Sequence, residues 1–379
     1  MTTTSQSKPT RRSDTEVAAR LDIVRHYATA MPQVFHVHDI LASDRGDVRS
    51  MIRRELRADA GVAQTTWHAG RFNNGLIFSA TYHGVTWLPG WCSHAIGHAS
   101  TWLAYHLMRS GTRALIQNLR CVRPAASEKE LRRLALLTYR SYARDTIDFI
   151  RALGTRTDLL TSVQTPDADR FSSVIAQGRG VIVVGGHFGN WELGGLVLRS
   201  LSGLPMSVVG RPEPSPIVGE LRRRMRESWG IESVEIGHSL ETALRLRRIL
   251  ASNGLVAMLI DRHVGRDRID VNFFGRRTFF LRTPALIASL SGAPLVPASM
   301  IRQPDGRFVG WLGEPVLVEP GRDGEQSQRR ATQAIATQLE QQIRAHPQLW
   351  YQFYPYWDGE ANTDGVTDSD GSPSRVESR

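Results

Sequence analysis

The chain has 379 residues, 41% apolar and 22% charged, with 47 basic against 37 acidic side chains and a formal net charge of +10. That balance excludes a wholly disordered chain and a polytopic membrane protein, and it gives a surface drawn to polyanions: nucleic acid, anionic lipid headgroups or phosphorylated substrates. Cys92 and Cys121 are the only cysteines, too few for a disulfide framework or a four-cysteine zinc site, and they favour a reducing compartment.

Residues 1–14 are polar and carry no secretion signal, so the chain is expected to begin disordered and to continue as a polar, helical extension over 15–71. From Phe72 to Met108 no Asp, Glu, Lys or Arg occurs in 37 residues, and Trp87, Trp91 and Trp102 fall inside the stretch. Pro89 and Gly90 divide it, and His83, His94, His98 and His106 make it too polar for a bilayer-spanning helix, which needs about 20 mostly apolar residues. The segment 72–113 therefore reads as helices lying in a membrane interface, with tryptophans at the headgroup boundary and Arg109 and Arg113 beside anionic lipid. The plainer alternative is a helical hairpin packed on the main domain. His94 and His98, and the HVHD run of His36, His38 and Asp39, are spaced like metal ligands but lack the glutamate of an HExxH site; they read as ordinary solvated or core histidines.

A helix follows, announced by the Ser127-x-x-Glu130 capping box and by Leu131, Leu134, Leu137, Ile147 and Ile150 at three- and four-residue spacing, with Gly154 as its stop. Short apolar runs at 181–184, 206–209, 255–260 and 295–301 then alternate with helical stretches near 217–229, 240–252 and 284–291. Such a rhythm predicts an α/β fold, a mixed and mostly parallel sheet flanked by helices. A last helix over about 327–345 leads into the aromatic run LWYQFYPYW, and from Gly359 the composition turns to that of a disordered tail.

The sharpest feature is VIVVGGHFGNWELGG over 181–195, a buried strand that enters a glycine turn and then a helix. His187 and Glu192 can meet only if the histidine lies in the turn and the glutamate in the first helical turn, a bend that Gly185, Gly186 and Gly189 permit. This places an imidazole at the carboxyl end of a strand, where open α/β sheets bind ligands. With a carboxylate on its other nitrogen it is a general base; without one it is a structural histidine. The turn's backbone N–H groups are candidates for stabilising an oxyanion.

HFGNWE resembles the His-x4-Asp/Glu motif of the glycerolipid acyltransferases, in the branch of lipid A late acyltransferases and phosphatidylinositol mannoside acyltransferases. ALIQNLRCV (114–122), VVGRPEPSPIVGELRRRM (208–225), the stretch 259–300 and HPQLWYQFYPYW resemble further blocks of that branch in the same order, over roughly residues 85–358. The resemblance implies an acyltransferase domain over 114–358 that moves a fatty acyl group from an acyl thioester, on CoA or acyl carrier protein, to a hydroxyl of a lipid or glycolipid. It implies no metal and no other cofactor, and a place on the cytoplasmic face of the inner membrane against an anionic surface. By motif His187 is the base and Glu192 its partner. Arg211 meets a phosphate, Asp261 orients a basic residue or a substrate hydroxyl, and Gly189 and Asn190 border the substrate.

Two other classes are weighed against this one. A metal-dependent hydrolase would use His36, His38, His187 and Glu192, and a basic nucleic-acid-binding protein is suggested by charge alone. No GxSxG elbow occurs, which disfavours a serine acyl-enzyme.

Overall fold

The computed structural model describes residues 84–85, 87–152, 163–213, 216–235, 240–263, 267–319 and 324–357. The expectations for 1–71, for the first part of the apolar stretch and for the tail beyond 358 lie outside the described residues.

Among the described residues three helices lead: α1 (Gly90–Leu107), α2 (Arg109–Val122) and α3 (Glu128–Ala152). Gly97 lets α1 lie close on α3, because a Cβ there would stand 2.8 Å from Ile147 Cδ1. The capping box forms as read: Ser127 N–H donates to Glu130 Oε2 at 2.7 Å and Glu130 N–H to Ser127 Oγ at 3.3 Å, which satisfies two otherwise orphaned donors. No described helix is long and apolar enough to cross a membrane.

The α/β part runs β1 (Val163–Gln164), α4 (Ala168–Ile175), β2 (Val181–Gly185), α5 (Trp191–Ser202), β3 (Met206–Gly210), α6 (Pro216–Ser228), β4 (Ile231–Glu235), α7 (Leu240–Ala251) and β5 (Leu255–Leu259). It continues with β6 (Ile269–Phe273), β7 (Arg276–Phe280), α8 (Thr283–Ser291), β8 (Leu295–Arg302), β9 (Phe308–Leu312), α9 (Gly324–Ala345) and a 3-10 turn at Pro347–Leu349. Seven strands form one sheet in the order β1-β9-β8-β2-β5-β3-β4. β8, β2, β5, β3 and β4 are mutually parallel and β9 is antiparallel to β8, so the sheet is mixed and mostly parallel.

β2 is buried at every residue because both faces of the sheet are covered. Its alternating side chains feed two cores: Ile182 and Val184 pack with Ile287, Ile335 and Trp350, and Val181 and Val183 with Leu193, Leu196 and Trp229. Several elements add to the sequence reading: α4 and the strands β1, β4, β6, β7 and β9. Of these, β6 and β7 form a separate hairpin whose turn puts both Phe274 (φ 55°) and Gly275 (φ 76°) in the left-handed region. Phenylalanine is a poor sequence signal for such a turn. Packing compensates, since the Phe274 ring lies 5.9 Å from that of Trp350 and under the Arg344 guanidinium.

Candidate active site

β2 and β5 are adjacent and parallel, with Gly185 opposite Leu259. Two residues past each of these positions stand His187 and Asp261, so strand register alone brings them to the same carboxyl edge of the sheet. The loop after β2 turns sharply into α5. Gly189 takes φ 65° there, and a Cβ would stand 2.1 Å from the Met300 carbonyl oxygen, so only glycine fits. Asn190 caps α5 by accepting from Leu193 N–H at 3.1 Å.

His187 Nδ1 lies 2.6 Å from Asp261 Oδ1, and the His187 backbone N–H donates to Asp261 Oδ2 at 2.9 Å. Asp261 is 1% exposed, and its Oδ2 also accepts from Gln352 Nε2 at 2.7 Å and from the Trp350 indole at 3.4 Å. Gly186 leaves room for this carboxylate, since a Cβ there would come 3.2 Å from Oδ2. The His187 side chain keeps 21% of its surface exposed, and Nε2 makes no hydrogen bond among the described residues. Burial, reinforced by the Arg262 guanidinium and opposed by Asp261, holds the imidazole below the ordinary histidine value. Burial alone would raise the Asp261 carboxyl, but His187 and Arg262 hold it below the usual carboxylate range.

The expected pairing of His187 with Glu192 does not form. Glu192 turns to α6, where Arg226 grips it in two-pronged fashion, Nη2 to Oε1 at 2.6 Å and Nε to Oε2 at 3.1 Å. Arg222 Nη1 stands 4.0 Å from Oε1 and 2.6 Å from Glu213. Burial would raise the Glu192 carboxyl, yet Arg226 and Arg222 hold it low. The reason is geometric: five residues that straddle a turn and a helix start send the two side chains to different neighbours, and a buried carboxylate takes the nearest guanidinium.

Three further expectations are redirected. Both polar ends of the Asn190 side chain serve the fold, one as the helix cap and the other donating to the Asp145 carbonyl at 3.2 Å. The N–H groups of His187, Phe188, Gly189 and Asn190 are committed to Asp261, Gly186, Leu349 and Met300 respectively, so these four do not serve an oxyanion. Gly189 acts through its backbone shape and borders the turn. Arg211 follows β3 directly and is exposed at the carboxyl edge that also carries His187.

The aromatic run after α9 forms the back wall of the site. Tyr351 N–H donates to the His187 carbonyl at 2.9 Å, and the Tyr356 hydroxyl donates to the Asp261 carbonyl at 2.8 Å. Asn118 clasps this run from α2, with Nδ2 donating to the carbonyls of Gln352 at 3.0 Å and Tyr354 at 2.7 Å, and Oδ1 accepting from Tyr356 N–H at 3.1 Å. Behind it, Tyr351 donates its hydroxyl to Asp145 at 2.6 Å, which pairs with Arg302 at 3.1 Å. Burial pushes the Asp145 carboxyl up to about 6 against the pull of Arg302 and Tyr351. Sequence reading passed over Gln352, Tyr351 and Asp145; each acts across a long stretch of chain, and no local spacing marks it.

His94 stands 3.7 Å from Asp148, and among the described residues no group of three or more His, Cys, Asp or Glu could hold a metal ion. His36 and His38 lie outside the described residues.

Residues 72–358 match the family described as bacterial lipid A biosynthesis acyltransferase. The chain is similar to the phosphatidylinositol mannoside acyltransferases of two strains of Mycobacterium tuberculosis, 29% identical over 190 residues, which is 50% of this chain and 58% of each relative. It is similar also to that of Mycolicibacterium smegmatis, 29% identical over 244 residues, 62% of this chain and 74% of the relative. The matched region thus spans a little over half the length of the Mycobacterium tuberculosis relatives.

Proposed function

Because the chain belongs to the family of bacterial lipid A biosynthesis acyltransferases, we propose that it transfers a fatty acyl group from an acyl thioester to a hydroxyl of a glycolipid or phospholipid, with His187 as general base. The donor is acyl-CoA or acyl carrier protein, and the acceptor is of the phosphatidylinositol mannoside or lipid A kind. The observation that carries the mechanism is the 2.6 Å contact between His187 Nδ1 and the buried Asp261 carboxylate, with the far side of the ring open. Asp261 keeps the proton on Nδ1, so the Nε2 lone pair faces outward.

The acceptor hydroxyl gives its proton to Nε2 while its oxygen attacks the thioester carbonyl carbon. The tetrahedral oxyanion collapses, the carbon–sulfur bond breaks, and the thiolate takes the proton from the imidazolium to leave as a thiol. Asp261 stabilises the imidazolium while it exists. Glu192 acts at a distance by fixing Arg226 and Arg222 of α6 beside the site. Arg211 meets a phosphate of donor or acceptor, for which a planar guanidinium suits two oxygens at once.

In this reading α1 and the turn before it lie in the cytoplasmic interface of the inner membrane. Trp87, Trp91 and Leu107 are 80%, 75% and 70% exposed, a cost in water that an interfacial bed removes.

The test is thiol release from a long-chain acyl-CoA by the full chain, with and without a phosphatidylinositol mannoside, and product mass measured by mass spectrometry. The expected product is heavier than the acceptor by one acyl chain, and His187→Ala makes none. Release indifferent to the acceptor, or product formation by His187→Ala at near wild-type rate, overturns the proposal.

A further inference from the structure

We infer that Gln352 is a positioning residue for the base: its buried amide stands between the Asp261 carboxylate and the Arg262 guanidinium and keeps Asp261 committed to His187. The inference rests on His187 being the general base. Gln352 is fully buried, and its two ends face opposite charges. Oε1 accepts from Arg262 Nε at 3.1 Å and from Nη2 at 2.9 Å. A guanidinium offers only donors, so this contact fixes which end of the amide is which. The NH2 must face the carboxylate, and it donates to Asp261 Oδ2 at 2.7 Å.

Arg262 directly follows Asp261 in the chain, and a guanidinium and a carboxylate so placed have a strong alternative in pairing with each other. That pair would draw Asp261 off Nδ1 and bring a positive charge towards the imidazole. The amide prevents it by giving each charge a neutral partner of the right polarity. The His187 backbone N–H also holds Oδ2, at 2.9 Å, but the Trp350 indole contact is long at 3.4 Å, so Gln352 is the side chain that holds Oδ2 most closely. The placement of Gln352 is tied to the base through the backbone: Tyr351 N–H donates to the His187 carbonyl at 2.9 Å and Asn118 grips the Gln352 carbonyl at 3.0 Å.

Other groups around the imidazole are already committed. Arg222 from α6 is paired with Glu213, the Tyr351 hydroxyl with Asp145, and the Tyr356 hydroxyl with the Asp261 carbonyl. Arg262, held also by the Tyr351 carbonyl at 3.1 Å and lying 5.1 Å over the Tyr354 ring, is the charge whose direction Gln352 governs.

The experiment follows kcat/KM from pH 5 to 9, with thermal unfolding, for the full chain and for Gln352→Met, Gln352→Glu, His187→Ala and the double variant Gln352→Met/Arg262→Met. Gln352→Met lets Arg262 reach Asp261, so its acid limb moves to lower pH by about half a unit or more and kcat falls about tenfold or more. Gln352→Glu adds negative charge near the ring and moves the limb to higher pH. Removing the guanidinium as well, in the double variant, recovers much of the kcat lost by Gln352→Met. Acid limbs of both single variants that coincide with wild type overturn the inference and reduce Gln352 to core packing. If Gln352→Met fails to fold, the near-isosteric Gln352→Glu decides by its limb alone. Near-normal turnover by His187→Ala would instead overturn the base assignment.

Discussion

Replacing Asp261 by Asn tests the site most severely, because the change keeps shape and alters only charge and the pattern of donors. Three N–H groups converge on Oδ2: the His187 backbone, the Gln352 amide and the Trp350 indole. An asparagine must turn its oxygen towards these donors, since its own NH2 there would meet three others. Its NH2 then faces His187 Nδ1 across 2.6 Å in the wild-type geometry. The imidazole is forced to accept at Nδ1 and to carry its proton on Nε2, the wrong tautomer for taking a proton from an alcohol. Loss of the carboxylate behind a histidine base in this manner costs about 10⁴ in kcat, which is about 5 kcal/mol of barrier. The hydrogen bonds to the three donors survive, so thermal unfolding should move by only a few degrees. The assay is thiol release from acyl-CoA with acceptor at saturation, alongside calorimetry of the same preparation. Turnover within about tenfold of wild type, in a variant that folds, would refute the reasoning about tautomer and dyad.

Glu192→Ala leaves Arg226 unpaired beside α5, so it should cost about 3 kcal/mol of stability in urea unfolding, with kcat falling less than about tenfold; a kcat loss of about 10³ with an unchanged unfolding midpoint would return Glu192 to the chemistry. Burial and Arg262 hold the His187 imidazole below its ordinary value, and a base must be unprotonated, so kcat/KM should be level at neutral pH and fall only below about pH 6.5. An acid limb at or above pH 7 contradicts that. The same depressed value means the unfolded chain takes the proton first, so this histidine's contribution to stability is present above pH 6.5 and is lost as pH falls through its lowered value. Trp87→Ser with Trp91→Ser should weaken co-sedimentation with anionic liposomes by about tenfold or more, roughly 1.4 kcal/mol; unchanged sedimentation argues against an interfacial α1.

Local signals carried much of the architecture. The Ser127–Glu130 box is a three-residue matter, and it forms at the helix start. The runs of β2, β3, β5 and β8 announce themselves because strands covered on both faces are mostly apolar, and β2 is buried at every residue. Gly189 and the strand–turn–helix pattern around it mark where the histidine is presented, since a carbonyl oxygen close to the missing Cβ demands glycine. The partners of that histidine are another matter. Asp261 is 74 residues away and Gln352 is 91 residues beyond Asp261. The fold brings them together because β2 and β5 are neighbours in register and because the run after α9 returns across the carboxyl edge of the sheet. Glu192, the nearer acid in sequence, loses to Asp261 because α5 points it at Arg226. Spacing along the chain could show that an imidazole stands at the end of a strand; which acid supports it was decided by strand order, register and competition among buried charges, quantities that exist only once the chain has folded.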